Sequence, residues 1–226
     1  MRISSIARLL AANIVLAFAL TASQITLDQS NVIGGSGSYS GAWNDSTFGA
    51  QNILSQQTGS IQEDFANGYW INADDGPADA YIVIDLGGLY QITSIEFFNT
   101  HNGPYNDRGT GDFQIHAGNS LGGLTSNGFD LNGALTMINS GTLSADTSSN
   151  TFLTPQDFTV SDAGTYRYLR FEPLSVASSG DPCCGANVYG LNEIRVFGDT
   201  TAVPEPATWL MAAVPLLALL WKRRAG

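Results

Sequence analysis

Apolar and polar positions alternate over residues 81–86, Tyr-Ile-Val-Ile-Asp-Leu, which puts Ile82, Ile84 and Leu86 on one face of an extended segment that Gly87-Gly88 ends. Further strand-like stretches lie at residues 92–98, 112–117, 135–138, 158–160, 167–171 and 193–197. Turn-forming clusters such as Asn102-Gly103-Pro104 and Ser126-Asn127-Gly128 separate them. Between the two ends of the chain no stretch carries a long helical period. Many short strands divided by Gly, Asn, Asp and Ser predict an all-β body, an antiparallel sandwich or jelly roll. Residues 24–51, with Gly34-Gly35-Ser36-Gly37-Ser38, read either as a strand leading into that body or as a flexible linker.

The ends follow a different pattern. Arg2 and Arg8 precede an almost wholly apolar run over residues 9–20, and the small residues Thr21, Ala22 and Ser23 follow. Residues 1–23 therefore read as a secretory signal peptide cut near Ser23. At the other end residues 207–221 are mostly apolar, about 22 Å if helical, against a hydrocarbon core of about 30 Å. Trp209 and Trp221 bracket this span, and Lys222, Arg223 and Arg224 follow at once, as membrane-interface anchors and cytoplasmic charges do. A buried core helix would not set three cations directly after a tryptophan; an uncut stop-transfer anchor is the remaining alternative. Pro204-Glu205-Pro206, the short apolar span and the basic tail together resemble the PEP-CTERM sorting signal of Gram-negative bacteria. The resemblance implies that residues 199–226 are recognised by an exosortase-type processing protease. It also implies a precursor held in the inner membrane by a transmembrane sorting helix and a product at the cell surface or in the extracellular matrix. Pro204 and Pro206 would keep the processed segment extended.

Removing both end segments changes the charge balance. The remaining 180 residues keep four cations, Arg108, Arg167, Arg170 and Arg195, against nineteen acids, a net of −15 with no lysine. Such a field repels nucleic acid and anionic headgroups, favours solubility and suits divalent cations. The length is enough for one domain with a real core.

Four stretches of this body, "YIVIDLGGLYQITSIEFFN", "DRGTGDFQIHAGNS", "YRYLRFEPLS" and "GLNEIRVFG", resemble in order and spacing the discoidin, or coagulation-factor type C, family of galactose-binding-like domains over residues 52–198. The resemblance implies a discoidin-like jelly-roll β-sandwich that binds sugars, lipid headgroups or proteins through loops at one end, usually without catalysis. It places Trp70 before the first core strand and puts Ile84, Leu86, Ile95, Phe97, Phe113, Ile115, Leu169, Phe171, Ile194 and Val196 inside. It also implies a structural calcium held by an early loop and by Glu193. The early loop departs from the family pattern, because Ser55 and Gln56 stand where an Asp-Gly pair is expected. An ion pair between Glu193 and an arginine is the alternative.

Among candidate sites, residues 101–108 combine an aromatic face, planar amides and a guanidinium in His101, Asn102, Tyr105, Asn106 and Arg108, a set suited to gripping carbohydrate hydroxyls and stacking on a pyranose ring. The bland reading is a capped turn with an Asp107–Arg108 surface contact. The acidic run at residues 72–79 fails EF-hand spacing and reads as a solvated turn. Cys183 and Cys184 are adjacent, so in an oxidising compartment they form a strained vicinal bridge, cross-link other chains or stay reduced. Two histidines, neither near them, argue against zinc. Gly118-Asn119-Ser120-Leu121-Gly122 spells a nucleophile motif, but no helix pattern follows it and no histidine lies C-terminal to Ser120. His116 alternates away from Phe113 and Ile115 and reads as a surface residue. No spacing selects a carboxylate pair for glycoside hydrolysis. The sequence therefore points to a non-catalytic protein binding carbohydrate, such as the exopolysaccharide of its matrix. A structural matrix protein and a polysaccharide hydrolase are the rivals.

Overall fold

The structure, a computed structural model, describes residues 22–55, 68–73, 80–101, 105–148, 152–178, 180 and 188–200. Among them lie eleven strands: β1 (Ser23–Gln24), β2 (Val32–Gly35), β3 (Trp70–Ile71), β4 (Ile82–Asn99), β5 (Gly109–Thr110), β6 (Asp112–Gly118), β7 (Thr136–Thr142), β8 (Pro155–Thr159), β9 (Tyr166–Pro173), β10 (Val176–Ala177) and β11 (Gly190–Thr200). The only helical pieces among the described residues are two 3-10 turns, Gln29–Asn31 and Ala50–Leu54.

The long strand β4 organises the layers. Its extended conformation runs on through Gly87-Gly88, where the sequence pattern ends it. Gly87 takes φ +76, a region that side chains resist, and its N–H donates to Asp85 Oδ1 at 2.8 Å, so the chain bends sharply without a long loop. The register against β9 jumps here from Asp85 to Tyr90. Before the bend β4 pairs with β2 and β9; after it β4 keeps one β9 partner, Tyr166 opposite Tyr90, and otherwise pairs with β11 and β8. The ladder β1-β11-β4-β9-β6-β7 thereby folds over on itself at β4 to form the two layers of a sandwich.

Phe97 of one layer meets Phe113 and Phe171 of the other, with ring centroids 4.7 and 5.8 Å apart, and Phe158 packs edge-on to Phe113 at 4.9 Å. Trp70 is buried against Phe171, and all ten positions expected inside are buried. Residues 24–51 are integral to the body: Gln24 pairs with Phe197, β2 pairs with β4, and Ile25, Leu27, Val32 and Ala50 join the core.

Antiparallel register fixes two ends. Asn99, Thr142, Pro173 and Gly190 stand at one, which also carries the connections between β4 and β6, β7 and β8, and β9 and β11. Tyr90, Gly118, Tyr166 and Thr200 stand at the other, with Ser23 paired to Gly198. Both ends of the described polypeptide thus sit opposite the first loop cluster. Among the described residues no helix is long and apolar enough to cross a membrane. The expected signal peptide (except its last two residues, Ala22 and Ser23) and the sorting motif Pro204, Glu205 and Pro206 lie outside the described residues.

Candidate functional site

The loop end is built on Asn99, fully buried at the end of β4. Its Oδ1 accepts from the Thr100 and Thr110 N–H groups, both at 2.9 Å, and its Nδ2 donates to Thr110 O at 2.8 Å and Ser144 O at 2.9 Å. One amide thereby joins the root of the β4–β5 loop to the root of the β7–β8 loop. Gly190 closes the same corner: any side chain there would come within 3.0 Å of Thr100 Oγ1, Arg108 O and Trp70 O.

From this base rises a polar depression of about 600 Å³ lined by Ser144, Ala145, Asp146, Thr147, Ser148, Thr154 and Gln156. Asp146 is its structural centre. Its Oδ1 accepts from Ser148 N at 2.8 Å, its Oδ2 from Thr154 N at 2.9 Å, and His101 Nδ1 lies 3.2 Å from Oδ1. Gln156 clamps Ser144 from the other side, accepting from its N–H at 2.8 Å and donating to its carbonyl at 3.0 Å. The floor is therefore fixed by hydrogen bonds, while the Ser and Thr hydroxyls around it supply donors and acceptors.

Of the residues expected to bind, His101, Tyr105 and Asn106 are half-buried at this end, and Arg108 is only 8% exposed. Arg108 Nε donates to Asp107 Oδ1 at 2.8 Å, and its guanidinium lies 4.4 Å from the centre of the Tyr105 ring. The pair is thus more than the surface contact that the sequence allowed: Arg108 supports Tyr105 from below. Tyr69 lies beneath, in a small cluster with Ile71, Val188 and Phe48. Burial pushes its phenol up to about 12, against an opposing pull from Arg108, and its hydroxyl has no hydrogen-bond partner among the described residues. Asn102 and the Cys183-Cys184 pair lie outside the described residues.

Sequence reasoning missed Asp146, Ser148, Thr154 and Gln156. Residues 144–148, Ser-Ala-Asp-Thr-Ser, carry only the signature of an Asx turn, which marks a bend and no site.

Elsewhere the expected residues take structural partners. Glu193 Oε1 accepts from Arg195 Nε at 2.8 Å, while Arg195 Nη1 donates to Glu96 at 2.9 Å and covers the Phe98 ring. Burial raises the Glu96 pKa, and Arg195 draws it back. Among the described residues no three His, Cys, Asp or Glu side chains converge on a metal position. Calcium wants six to eight oxygens, and residues 56–59 of the early loop expected to supply others lie outside the described residues. His116 is half-buried rather than a free surface residue, 3.1 Å from Glu172, and burial, followed by Arg170, lowers its pKa. Ser120 sits in a loop whose carbonyl accepts from Asn132 N, with no helix behind it.

Fold and register together define a discoidin-like jelly-roll β-sandwich with loops gathered at one end. The chain is similar to a family 32 carbohydrate-binding module from C. perfringens solved in complex with galactose, at 14% identity and TM-score 0.50 over 78% of this chain and 99% of that one. A fragment of a provisional chitobiase from Bacteroides thetaiotaomicron is similar at 17% identity and TM-score 0.55, covering 81% of this chain and 96% of that one. A fucolectin from striped bass, Morone saxatilis, is similar at 19% identity and TM-score 0.52, covering 81% and 52%. At these identities the likeness is one of fold. No protein-family model matches the chain, and no curated protein matches it significantly.

Proposed function

We propose that the protein is an exported, non-catalytic carbohydrate-binding protein whose ligand site is the loop end of the sandwich. The observation that carries this is the depression beside His101–Asp146: a rigid, hydroxyl-rich concavity of about 600 Å³, within the range of about 300–1,000 Å³ usual for small-molecule sites. A hydrogen-bonding floor and a nearby tyrosine held by a buried arginine suit polyols, which present hydroxyls at the ring edge and C–H groups on the ring face. The galactose in the C. perfringens module supports the same class of ligand. His101, Asn102, Tyr105 and Asn106 supply direct contacts, and Arg108 positions Tyr105.

Export rests on the signal-peptide pattern of residues 1–23. Sorting by an exosortase-type protease, through a membrane-held precursor, rests on Pro204-Glu205-Pro206 and the apolar span behind it. The position of Thr200 opposite the loop end is consistent with this, since a tail leaving there does not cover the proposed site.

The test is a glycan panel with the full chain. Tyr105→Ala lowers retention of the best-bound sugar about tenfold, and His101→Ala weakens it as well, with neither variant losing its cooperative thermal unfolding. Silence on every glycan, together with co-purification with the matrix, would instead favour a purely structural role. Release of reducing ends from polysaccharide would favour a hydrolase.

A further inference from the structure

Away from the loop end, the sandwich has strand edges at β2, β7, β8 and along β11. All but β7 are closed or blunted. The free side of β2 is bridged by residues 127–129, where Gly35 N donates to Asn127 O and Phe129 N to Ile33 O, both at 2.9 Å. β8 opens with Pro155 and carries Asp157, residue types that discourage further pairing at an edge. β1, β3, β5 and β10 are two residues each, too short to template a partner. β7 has none of these protections. It pairs with β6 alone, and among the described residues no backbone hydrogen bond reaches its other side. Its seven residues include no proline and no charge, and the uncharged run extends from Leu131 to Ala145. Met137, on the strand, is 52% exposed, and Leu135 just before it is also exposed. A bulge at Ile138 interrupts the register against β6, but Asn139–Thr142 continue in regular pairing. Asn139 Nδ2 donates to Thr159 O at 2.9 Å, which fixes the strand against the second layer.

The charge of the body selects what can pair there. Nineteen acids stand against four arginines, and each arginine already meets a carboxylate. Two copies therefore repel over most of their surfaces, and a basic partner has no reason to choose an uncharged strand. A neutral edge accepts another neutral edge, and an antiparallel strand is its own complement about a two-fold axis. We propose that β7 is a self-association edge, on which β7 of a second copy pairs antiparallel about a two-fold near Ser140 and joins the two β7-β6-β9 layers into one sheet. Each copy offers one such edge among its described residues, so the pairing closes at a dimer. β7 runs from beside Gly118 at the far end to Thr142 at the loop end. The two-fold consequently turns one copy over, and the two loop ends face opposite ways. One strand pair is small beside the roughly 1,200–2,000 Å² of stable complexes, so the dimer is weak and, with acids opposing it, tighter as salt rises.

Sedimentation of the full chain tests this, in a mild neutral detergent that keeps its apolar ends apart, up to about 1 mM protein and at about 0.05 and 0.5 M salt. The dimer fraction rises with concentration and with salt, and amide hydrogen exchange slows with it at residues 136–142. Ser140→Lys and Ser140→Glu change the net charge in opposite directions, yet each sets like charges face to face and weakens the dimer about tenfold or more. Ser140→Thr retains it. Ser140 is exposed, so all three variants keep the parent Tm. A monomer at every concentration overturns the proposal. So does a dimer that survives both charged variants, one that Lys strengthens while Glu weakens, or exchange protection that falls outside β7. Glycan retention measured on the same samples bears only on the loop end, so either reading can fail while the other stands.

Discussion

Each of the four arginines in the body meets a carboxylate and covers an aromatic ring. Arg108 pairs with Asp107 over Tyr105, Arg167 with Asp85 beside Tyr168, Arg170 with Asp130 and Glu172 over Tyr81, and Arg195 with Glu96 and Glu193 over Phe98. In so acidic a body each of these four cations finds an acid, and the flat guanidinium uses its other face on a ring. Tyr69 is the contrasting case, a polar tip buried without a partner among the described residues. An unpaired buried hydroxyl costs about 1–3 kcal/mol, so Tyr69→Phe raises stability at neutral pH by about 1 kcal/mol or more in chemical denaturation. The pH dependence follows from the phenol's rise to about 12. In the unfolded chain Tyr69 ionises near pH 10, so its protonated form supports the fold below pH 10. That contribution, about 2–3 kcal/mol, is lost between pH 10 and about 12. Tyr69→Phe flattens the alkaline limb of the stability curve; an unchanged limb would show that the phenol is not buried as described.

At the scale of elements, Asn99 decides most at the loop end. Asn99→Ala strips partners from four backbone groups in two loops and lowers stability by about 3 kcal/mol, and glycan retention falls with it. Retention that survives despite the lost stability would mean that the two loops bind independently. The strands themselves were legible: alternation over residues 92–98, 112–117, 167–171 and 193–197 found β6, β9, β11 and the second half of β4, because one face of each packs on the opposite layer. Gly87-Gly88 misled, since two glycines signal an end equally well whether the chain stops pairing or changes sheets. The residue types of the His101 loop suggested a site, and the structure sets His101 beside Asp146; the burial of Arg108 was not legible, because it depends on packing against residues distant in sequence. The contact of the Asp146 turn with His101 was illegible for the same reason. For Glu193 the family resemblance implied calcium and the alternative was an arginine; the structure places Arg195, two positions along the same strand, on its carboxylate. If that guanidinium does the work expected of calcium, a chelator leaves Tm where it is. A drop of several degrees would restore the ion, with its other donors drawn from residues outside those described.

Over the whole molecule, the described chain leaves the sandwich at Thr200, at the end opposite the loops proposed to bind. A folded partner fused beyond Thr200 joins at the end away from His101 and Asp146, so such a fusion retains sugar as the parent does; loss of retention would place the site elsewhere. The excess of acids on the body acts in the same direction, keeping neighbouring copies apart at low salt.

The sharp bend at Gly87 has a consequence for crowding. By sending the second half of β4 back toward the loops while β11 runs the other way, it makes the sandwich one strand tall, roughly 30 Å for ten residues. If copies are held at a surface beyond Thr200 and bind sugar as proposed, they stand like bristles of that height with the proposed site outward. A long polymer could then lie across many grips at once, and weak single contacts would add up to firm adhesion.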